Sequence, residues 1–156
     1  MRWLIILIAS GLFTGYSPIA SGTAGSVVGV ALSWLVFVPL WERSPWLALL
    51  IFAIAFAIAC WIAGRGEVIF DEHDSPKIVI DEVLGMVFTM FGNPVTPAYY
   101  AVGFVLFRIA VVVKPPPAKY IDTSIGGGLG VMLDDLAAAV YANIGLQILR
   151  AIIHLI

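Results

Sequence analysis

Charge is scarce in this sequence. Only 12% of its 156 residues are charged, about half of the roughly 25% that is usual in soluble domains. The mean hydropathy is +1.05, which favours a membrane protein. A net charge of −2 supplies no basic field, so nucleic acid is excluded as an expected partner. The length fits a single domain over residues 1–156.

Cysteine and histidine are also scarce, which narrows the chemistry. The single cysteine, Cys60, cannot form an internal disulfide. It stands one residue too close to Arg65 for the loop of a thiolate phosphatase, and it lies in an apolar run. A glycine–lysine nucleotide loop is absent as well. Of the two histidines, His154 lies at the apolar carboxyl end, so a zinc site built on paired histidines is not expected.

Long apolar stretches are abundant instead, at residues 3–13, 26–41, 46–63, 83–91, 98–113 and 136–156. Turn-forming segments separate them: GYSPIASGTAG, ERSP, GNPVTP and KPPP. A membrane-spanning helix needs about 20 apolar residues, which 46–63 and 136–156 supply. The shorter stretches are predicted to be tilted, extended by flanking residues or partly inserted. Because strand-like alternation is absent, the sequence predicts an all-α polytopic membrane bundle, with the first stretch as a helix rather than a secretory signal.

The distribution of charge predicts which membrane face is polar. If each stretch crosses once, loops 14–25, 64–80 and 114–130 share one face, and loops 42–45 and 92–97 share the other. The first face then receives four basic residues against one, which marks it as cytoplasmic. It also receives all the acids except Glu42. Polar site loops are therefore expected on the cytoplasmic face of a multi-pass membrane protein.

Two adjacent acid pairs are the main candidates for chemistry. Asp81–Glu82 and Asp134–Asp135 are each followed at once by apolar sequence, which predicts that both pairs lie at helix starts near the membrane boundary. Acids at that depth are costly and point to function. Clustered carboxylates without cysteine or paired histidine favour Mg²⁺, and two pairs are able to hold one or two such ions against a phosphoryl group.

Basic side chains and glycine-rich segments complete the candidate site. Lys77, Arg108 and Lys114 are expected to balance phosphate charge, with Arg108 placed inside an apolar helix. SGTAGS (21–26) and GGGLG (126–130) each precede an apolar stretch, where backbone N–H groups are able to meet an anion. The expected phosphate contacts in these segments are Thr23, Ser26, Gly127 and Gly128.

Four sequence blocks, read in order from about Gly15 to Asn143, resemble the bacterial phosphatidylglycerophosphatase A family. They are SPIASGTAGS, HDSPKIVIDEVLGM, FRIAVVVKPPP and GGGLGVMLDDLAAAVYAN. The resemblance implies Mg²⁺-dependent removal of the terminal phosphate from phosphatidylglycerophosphate, a membrane phospholipid, to give phosphatidylglycerol. It implies metal binding by Asp81, Glu82, Asp134 and Asp135, and phosphate binding by Lys77, Arg108 and Lys114. His73 or Asp74 would handle a proton, or one acid would act as the nucleophile.

One position departs from the family pattern. An Asp usually stands three residues after the Arg and three before the Lys, and here the residue is Val111. An inactive scaffold of the same fold is therefore one alternative. A small transporter or channel is another, because intramembrane charges and broken helices also line ion paths. Small residues in LAAAVYANIG permit close helix packing, either within the bundle or with another copy, so an oligomer is one of two open alternatives.

Overall fold

A computed structural model describes residues 1–155, and within that range every side chain except that of Asp122. These residues form eight α-helices and no strand: α1 (Arg2–Ala9), α2 (Ser21–Leu32), α3 (Val38–Arg43), α4 (Pro45–Phe70), α5 (Ile80–Thr89), α6 (Pro97–Val113), α7 (Ala118–Ser124) and α8 (Gly127–Leu155). The all-α prediction is confirmed. The single domain over residues 1–156 stays a prediction.

Within residues 1–155, three helical segments are long and apolar enough to cross a membrane: Ser21–Arg43, Pro45–Phe70 and Gly127–Leu155. The first joins α2 to α3 through a wide, π-type turn at Ser33–Phe37, just before Pro39. Proline supplies no backbone N–H, so a wide turn there avoids a broken hydrogen bond. Residues 26–41 thus reach spanning length by extension at both ends, one of the outcomes expected from the sequence.

Most of the turn-forming segments mark real helix ends. Ser44 caps α4 by accepting from the Leu47 N–H at 3.3 Å, and Thr96 caps α6 in the same way from Tyr99. A proline follows each cap, at a helix position where its missing N–H costs nothing. SGTAGS and GGGLG behave differently, because α2 begins at Ser21 and α8 at Gly127. These segments form first turns of helices rather than the loops before them.

The predicted grouping of the loops at two ends of the bundle is confirmed by contacts. At one end, the start of α5 meets the start of α2, and the start of α8 meets α4 near its carboxyl end. At the other end, Trp41 packs on Phe91 with ring centroids 5.1 Å apart. Arg150 also lies there, with its Nη1 3.0 Å from the Gly92 carbonyl, so the basic excess at the first end is smaller than the loops alone suggested. We call the first end, which carries nearly all the acids, the acidic end.

Helix α5 is too short to span a membrane and packs closely against longer helices. Glycines of α2 let the two backbones approach: a Cβ at Gly25 would lie 2.8 Å from Val79 Cβ, and one at Gly29 would lie 2.5 Å from the Val83 carbonyl oxygen. On its other side, a Cβ at Gly85 would lie 2.5 Å from the Phe107 ring. The start of α5 is thereby fixed between α2, α6 and α8.

The carboxyl end of α5 is capped by a side chain from α8. Asn143 Nδ2 donates to the carbonyls of Thr89 at 2.9 Å and Phe91 at 2.8 Å. A helix that ends inside a membrane bundle must satisfy its last carbonyls internally. The same asparagine therefore fixes the axial position of α5 against α8.

Asn143→Leu should destabilise the protein by about 2 kcal/mol at nearly unchanged volume, because it removes two short hydrogen bonds of about 1 kcal/mol each. The Thr89 and Phe91 carbonyls would then keep only the longer bonds from Asn93 Nδ2, at 3.1 and 3.4 Å. Reversible unfolding in detergent measures the effect. Gln147→Leu is the matched control on the same helix, because its amide reaches only the Gly92 carbonyl, at 3.5 Å and in an exposed position. An Asn143 variant as stable as the Gln147 variant would contradict this role.

Candidate metal and phosphate site

Three carboxylates from two helices converge at the acidic end. Asp81 and Glu82 lie in the first turn of α5, and Asp135 lies in α8. One oxygen of each falls within 4.8 Å of the others. Asp81 and Asp135 are buried and Glu82 is nearly so. The structure therefore brings together three of the four predicted metal ligands, and we call these three residues the acid cluster.

The acid cluster has unsatisfied oxygens, which suit a bound cation. Asp81 Oδ1, Glu82 Oε2 and Asp135 Oδ2 are buried and have no hydrogen-bond partner among the described residues. Buried carboxylates lacking donors are costly unless a metal or a cation compensates them. Burial raises the pKa of Asp81 well above its usual value, and the adjacent Glu82 raises it further. A bound divalent ion would stabilise the ionised form of the cluster, and an all-oxygen donor set suits Mg²⁺.

Arg108 is the basic residue nearest to the acid cluster. Its Nη1 lies 3.9 Å from Glu82 Oε1 and 3.4 Å from Ser26 Oγ. Ser26 in turn donates to the Gly22 carbonyl at 2.9 Å. The guanidinium thus spans from α6 to α2 and α5, and its charge compensates only part of the three carboxylates.

Gly22 makes room for this contact. A Cβ there would stand 2.1 Å from Glu82 Oε1 and 3.1 Å from Arg108 Nη1. Only a residue without a side chain leaves both groups where they are. Sequence reasoning did not single out Gly22, although its place in the SGTAGS segment, beside two predicted site residues, was a usable signal.

Asp134 pairs with a lysine, unlike its neighbour Asp135, which belongs to the acid cluster. Its Oδ2 accepts from Lys114 Nζ at 2.7 Å, in a pair that joins α8 to the residue just after α6. It lies outside the acid cluster, and its predicted role as a metal ligand stays a prediction. Lys114 is held close to the cluster by this pair.

The predicted helix-start position of Asp134–Asp135 is wrong. Helix α8 begins at Gly127, eight residues before Asp135, so this carboxylate lies about 12 Å along the helix. Arg108 likewise precedes the end of α6 by five residues. The site is therefore recessed into the bundle. Glycine has a low helix propensity, which is why the sequence suggested a later start.

His73, Asp74 and Lys77 lie in the segment between α4 and α5 and have other contacts. The Glu67 carboxylate bonds to His73 Nδ1 and accepts from the Asp74 N–H at 3.0 Å. Lys77 Nζ lies over the rings of Phe70 and Tyr16, at 5.5 and 5.9 Å from their centroids. Among the described residues, none of these three belongs to the acid cluster.

The remaining predicted phosphate contacts lie in the first turns of α2 and α8. Thr23 is half-buried in the first turn of α2, next to Gly22. Gly127 has a positive φ of 73° and starts α8, and Gly128 packs so closely on α4 that a Cβ would lie 2.1 Å from the Cys60 carbonyl oxygen. Gly128 therefore has a packing role, and the phosphate contacts of these glycines stay predictions.

Glu67 is a further residue that sequence reasoning did not select. Its side chain is largely buried and organises the His73–Asp74 segment. Its spacing from His73, across a helix end, gave no distinctive signal.

Comparisons with known proteins identify the family of this chain. The sequence model of the family described as "PgpA: Phosphatidylglycerophosphatase A" matches residues 7–150. A protein of that name from Escherichia coli K12 is 35% identical over 86% of this chain and 76% of its own, and one from Haemophilus influenzae is 31% identical over 90% and 85%. A Bacteroides thetaiotaomicron protein, provisionally named a phosphatidylinositol-3-phosphatase, is 32% identical over 97% and 96%. No solved structure matches. The chain belongs to the phosphatidylglycerophosphatase A family.

Proposed function

We propose that this chain is a Mg²⁺-dependent lipid phosphatase that removes the terminal phosphate from phosphatidylglycerophosphate, leaving phosphatidylglycerol. The observation that carries the proposal is the acid cluster with its unsatisfied oxygens, recessed beside Arg108 in a chain of this family. The names of the Escherichia coli and Haemophilus influenzae relatives indicate the lipid.

Asp81, Glu82 and Asp135 would hold the metal ion. When bound, Mg²⁺ would supply Lewis-acid polarisation of the phosphoryl oxygens. The three carboxylates come from two helices, α5 and α8, whose relative position is fixed by Asn143 and by the close approach of Gly85 to the Asp135 carbonyl. The donor set is therefore preorganised rather than gathered on binding.

The basic residues would orient the phosphate. Arg108 is able to leave its weak 3.9 Å contact with Glu82 for a bidentate contact with phosphate oxygens. Lys114, held by Asp134 at 2.7 Å, supplies a second positive charge near α8. We assign Asp134 to positioning Lys114, and Lys77 to an outer contact at the mouth of the site.

His73 is the better placed of the two groups proposed to handle a proton. Its Nδ1 faces Glu67, so Nε2 remains available to exchange a proton with water at the exposed surface. Asp74 acts through its backbone, which pins the same segment to Glu67. An alternative within the same proposal is attack by one carboxylate of the acid cluster on phosphorus. The bond from phosphorus to the lipid oxygen would break, the lipid alcohol would leave with a proton, and water would then hydrolyse the phospho-enzyme to release phosphate.

Phosphate release by the purified protein tests the function. Phosphatidylglycerophosphate in detergent micelles should be hydrolysed with Mg²⁺, and EDTA should lower the rate by at least about 100-fold until Mg²⁺ is restored. Glycerol 3-phosphate, which presents a phosphomonoester without acyl chains, is the matched soluble substrate and should react far more slowly. An EDTA-insensitive rate would contradict the metal proposal.

Phosphatidylinositol 3-phosphate belongs in the same assay. The Bacteroides thetaiotaomicron relative, which aligns over nearly the whole chain, carries a name for that activity. Both lipids present a phosphomonoester on a phospholipid headgroup, which is the chemistry that the site fits. A faster rate on the inositol lipid would replace phosphatidylglycerophosphate as the substrate while keeping the phosphatase.

An ion path is less well supported than hydrolysis. Among residues 1–155, the charged cluster lies at one end, and Phe37, Phe52, Phe88 and Phe91 pack together towards the other, with Phe91 within 6 Å of three of these rings. Aromatic packing of this kind closes the bundle beneath the acids. Proton or cation flux in liposomes without phosphatase activity would favour the transporter.

We propose that the acidic end faces the cytoplasm of a bacterial inner membrane. Arg65, Lys77, Lys114 and Lys119 belong to that end, whereas Arg43 and Arg150 lie at the other. Excess Lys and Arg mark the cytoplasmic side. A cysteine introduced at exposed Asp71 in a Cys60→Ala background should resist an impermeant thiol reagent in intact cells and react in inverted vesicles.

A further inference from the structure

An apolar depression on α6 includes Arg108, the basic residue that contacts Glu82 of the acid cluster. The depression has a volume of about 350 Å³ and is lined by Phe104, Val105, Arg108, Ile109, Val112 and Val113. These positions form one stripe of the helix, and the aliphatic ones are largely exposed. Arg108 is the only charged residue of the stripe, and its guanidinium contacts Glu82 and Ser26 of the site.

The Arg108 side chain is partly accessible, with 22% of its surface exposed. The residues of α2 nearest to the guanidinium are Gly22 and Ser26, which are both small. A molecule lying on the α6 stripe can therefore reach Arg108 from the side of the bundle without displacing a large side chain. The stripe faces outward, where a membrane protein meets lipid.

We propose that the α6 stripe binds one acyl chain of the phospholipid substrate and that the headgroup enters the acid cluster sideways past Arg108. The proposal rests on the proposed function for the identity of the lipid. An anionic headgroup attached to an apolar chain complements a cation at the edge of an apolar track. The stripe extends over nine residue steps, about 14 Å along the axis, which is enough to hold a long section of a chain.

A second apolar cleft is the structural competitor. It measures about 400 Å³, lies between α1, α2, α4 and α5, and includes Ala55 and Val83 in its wall. Arg108 is not part of that wall. The cleft lies on the side of α5 that faces α1 and α4, whereas Arg108 belongs to α6 and Asp135 to α8. A chain there would have to pass around α5 to place its headgroup in the site.

Val105→Trp tests the α6 stripe, with Ile54→Trp as the matched control. Val105 is 54% exposed and Ile54 is 53% exposed, but Ile54 lies on α4 outside both apolar depressions. For dipalmitoyl phosphatidylglycerophosphate, Val105→Trp should raise KM about tenfold with little change in kcat. For the dihexanoyl lipid it should change neither. Ile54→Trp should leave both substrates unaffected.

Photo-crosslinking decides the inference independently of turnover. A phosphatidylglycerophosphate with a diazirine on one acyl chain should label residues 104–113 in the wild type and less in Val105→Trp. Phosphatidylcholine with the same chain should label them weakly.

Two results would overturn the proposal: equal effects of Val105→Trp and Ile54→Trp, or labelling concentrated on α4 and sensitive to Ala55→Trp. Failure of the wild type to hydrolyse even the dihexanoyl lipid would overturn the proposed function instead, and the crosslinking would still report where the chain binds.

Discussion

Asp135→Asn is expected to lower Mg²⁺-dependent phosphate release by about three orders of magnitude, or about 4 kcal/mol of transition-state stabilisation. Asp135 supplies one of three converging carboxylates, and the amide cannot replace its negative charge. The variant should still fold, because asparagine has the same shape. Its metal-free form should even be more stable, since one of three mutually repelling carboxylates is gone.

Thermal unfolding with EDTA and with Mg²⁺ measures both effects. Each kcal/mol corresponds to a shift of about 2–4 °C or somewhat more in a protein of this size. In EDTA, Asp135→Asn should have a higher melting temperature than the wild type. Mg²⁺ should raise the melting temperature of the wild type but not that of Asp135→Asn.

Asp71→Asn is the control, because it makes the same change at an exposed acid of the same end, where asparagine tolerates the positive φ of 54°. A Mg²⁺ shift retained by Asp135→Asn would remove Asp135 from the metal site.

The convergence of distant acids was predictable from two features of the sequence. These are its low content of charge and the alternation of loops between two membrane faces when each apolar stretch crosses once. Scarce charge in an apolar chain implied that the acids were functional, and the apolar stretches placed 81–82 and 134–135 at one end. The structure confirms that end and brings Asp81, Glu82 and Asp135 together. What guided the prediction was the cost of charge near lipid.

The division of labour between Asp134 and Asp135 was not predictable. Adjacent residues of a helix point about 100° apart, so one faces α5 while the other faces Lys114. Which one does so depends on the rotation of α8 about its axis. That rotation is set by long-range contacts such as Gly128 against Cys60 and Asn143 against α5, which no local pattern reveals.

Val111 lies outside the acid cluster. The sequence departs from the family pattern there, which suggested an inactive scaffold. In the structure, Val111 lies on α6, three residues after Arg108, and packs against a buried apolar cluster that includes Phe107. The three carboxylates of the acid cluster come from α5 and α8. The valine therefore removes none of them.

Gly22→Ala should lower activity strongly without lowering stability. The new Cβ would stand 2.1 Å from Glu82 Oε1 and 3.1 Å from Arg108 Nη1, so the carboxylate must move. Moving the end of a flexible side chain costs little, and alanine gains about 1 kcal/mol of helix propensity over glycine. We therefore expect unchanged or higher stability together with a loss of about 100-fold in activity, because the metal donor and the arginine are both displaced.

Two further glycine variants make this result specific. Gly126→Ala adds the same methyl group where no described atom beyond the two chain neighbours lies within 4 Å, and it should change neither activity nor stability. Gly29→Ala would bring a Cβ to 2.5 Å from the Val83 carbonyl oxygen, which is backbone and cannot yield cheaply, so stability should fall. Activity in Gly22→Ala equal to that in Gly126→Ala would mean that the position of Glu82 does not limit turnover. A loss of stability like that of Gly29→Ala would mean that Gly22 serves helix packing rather than the site.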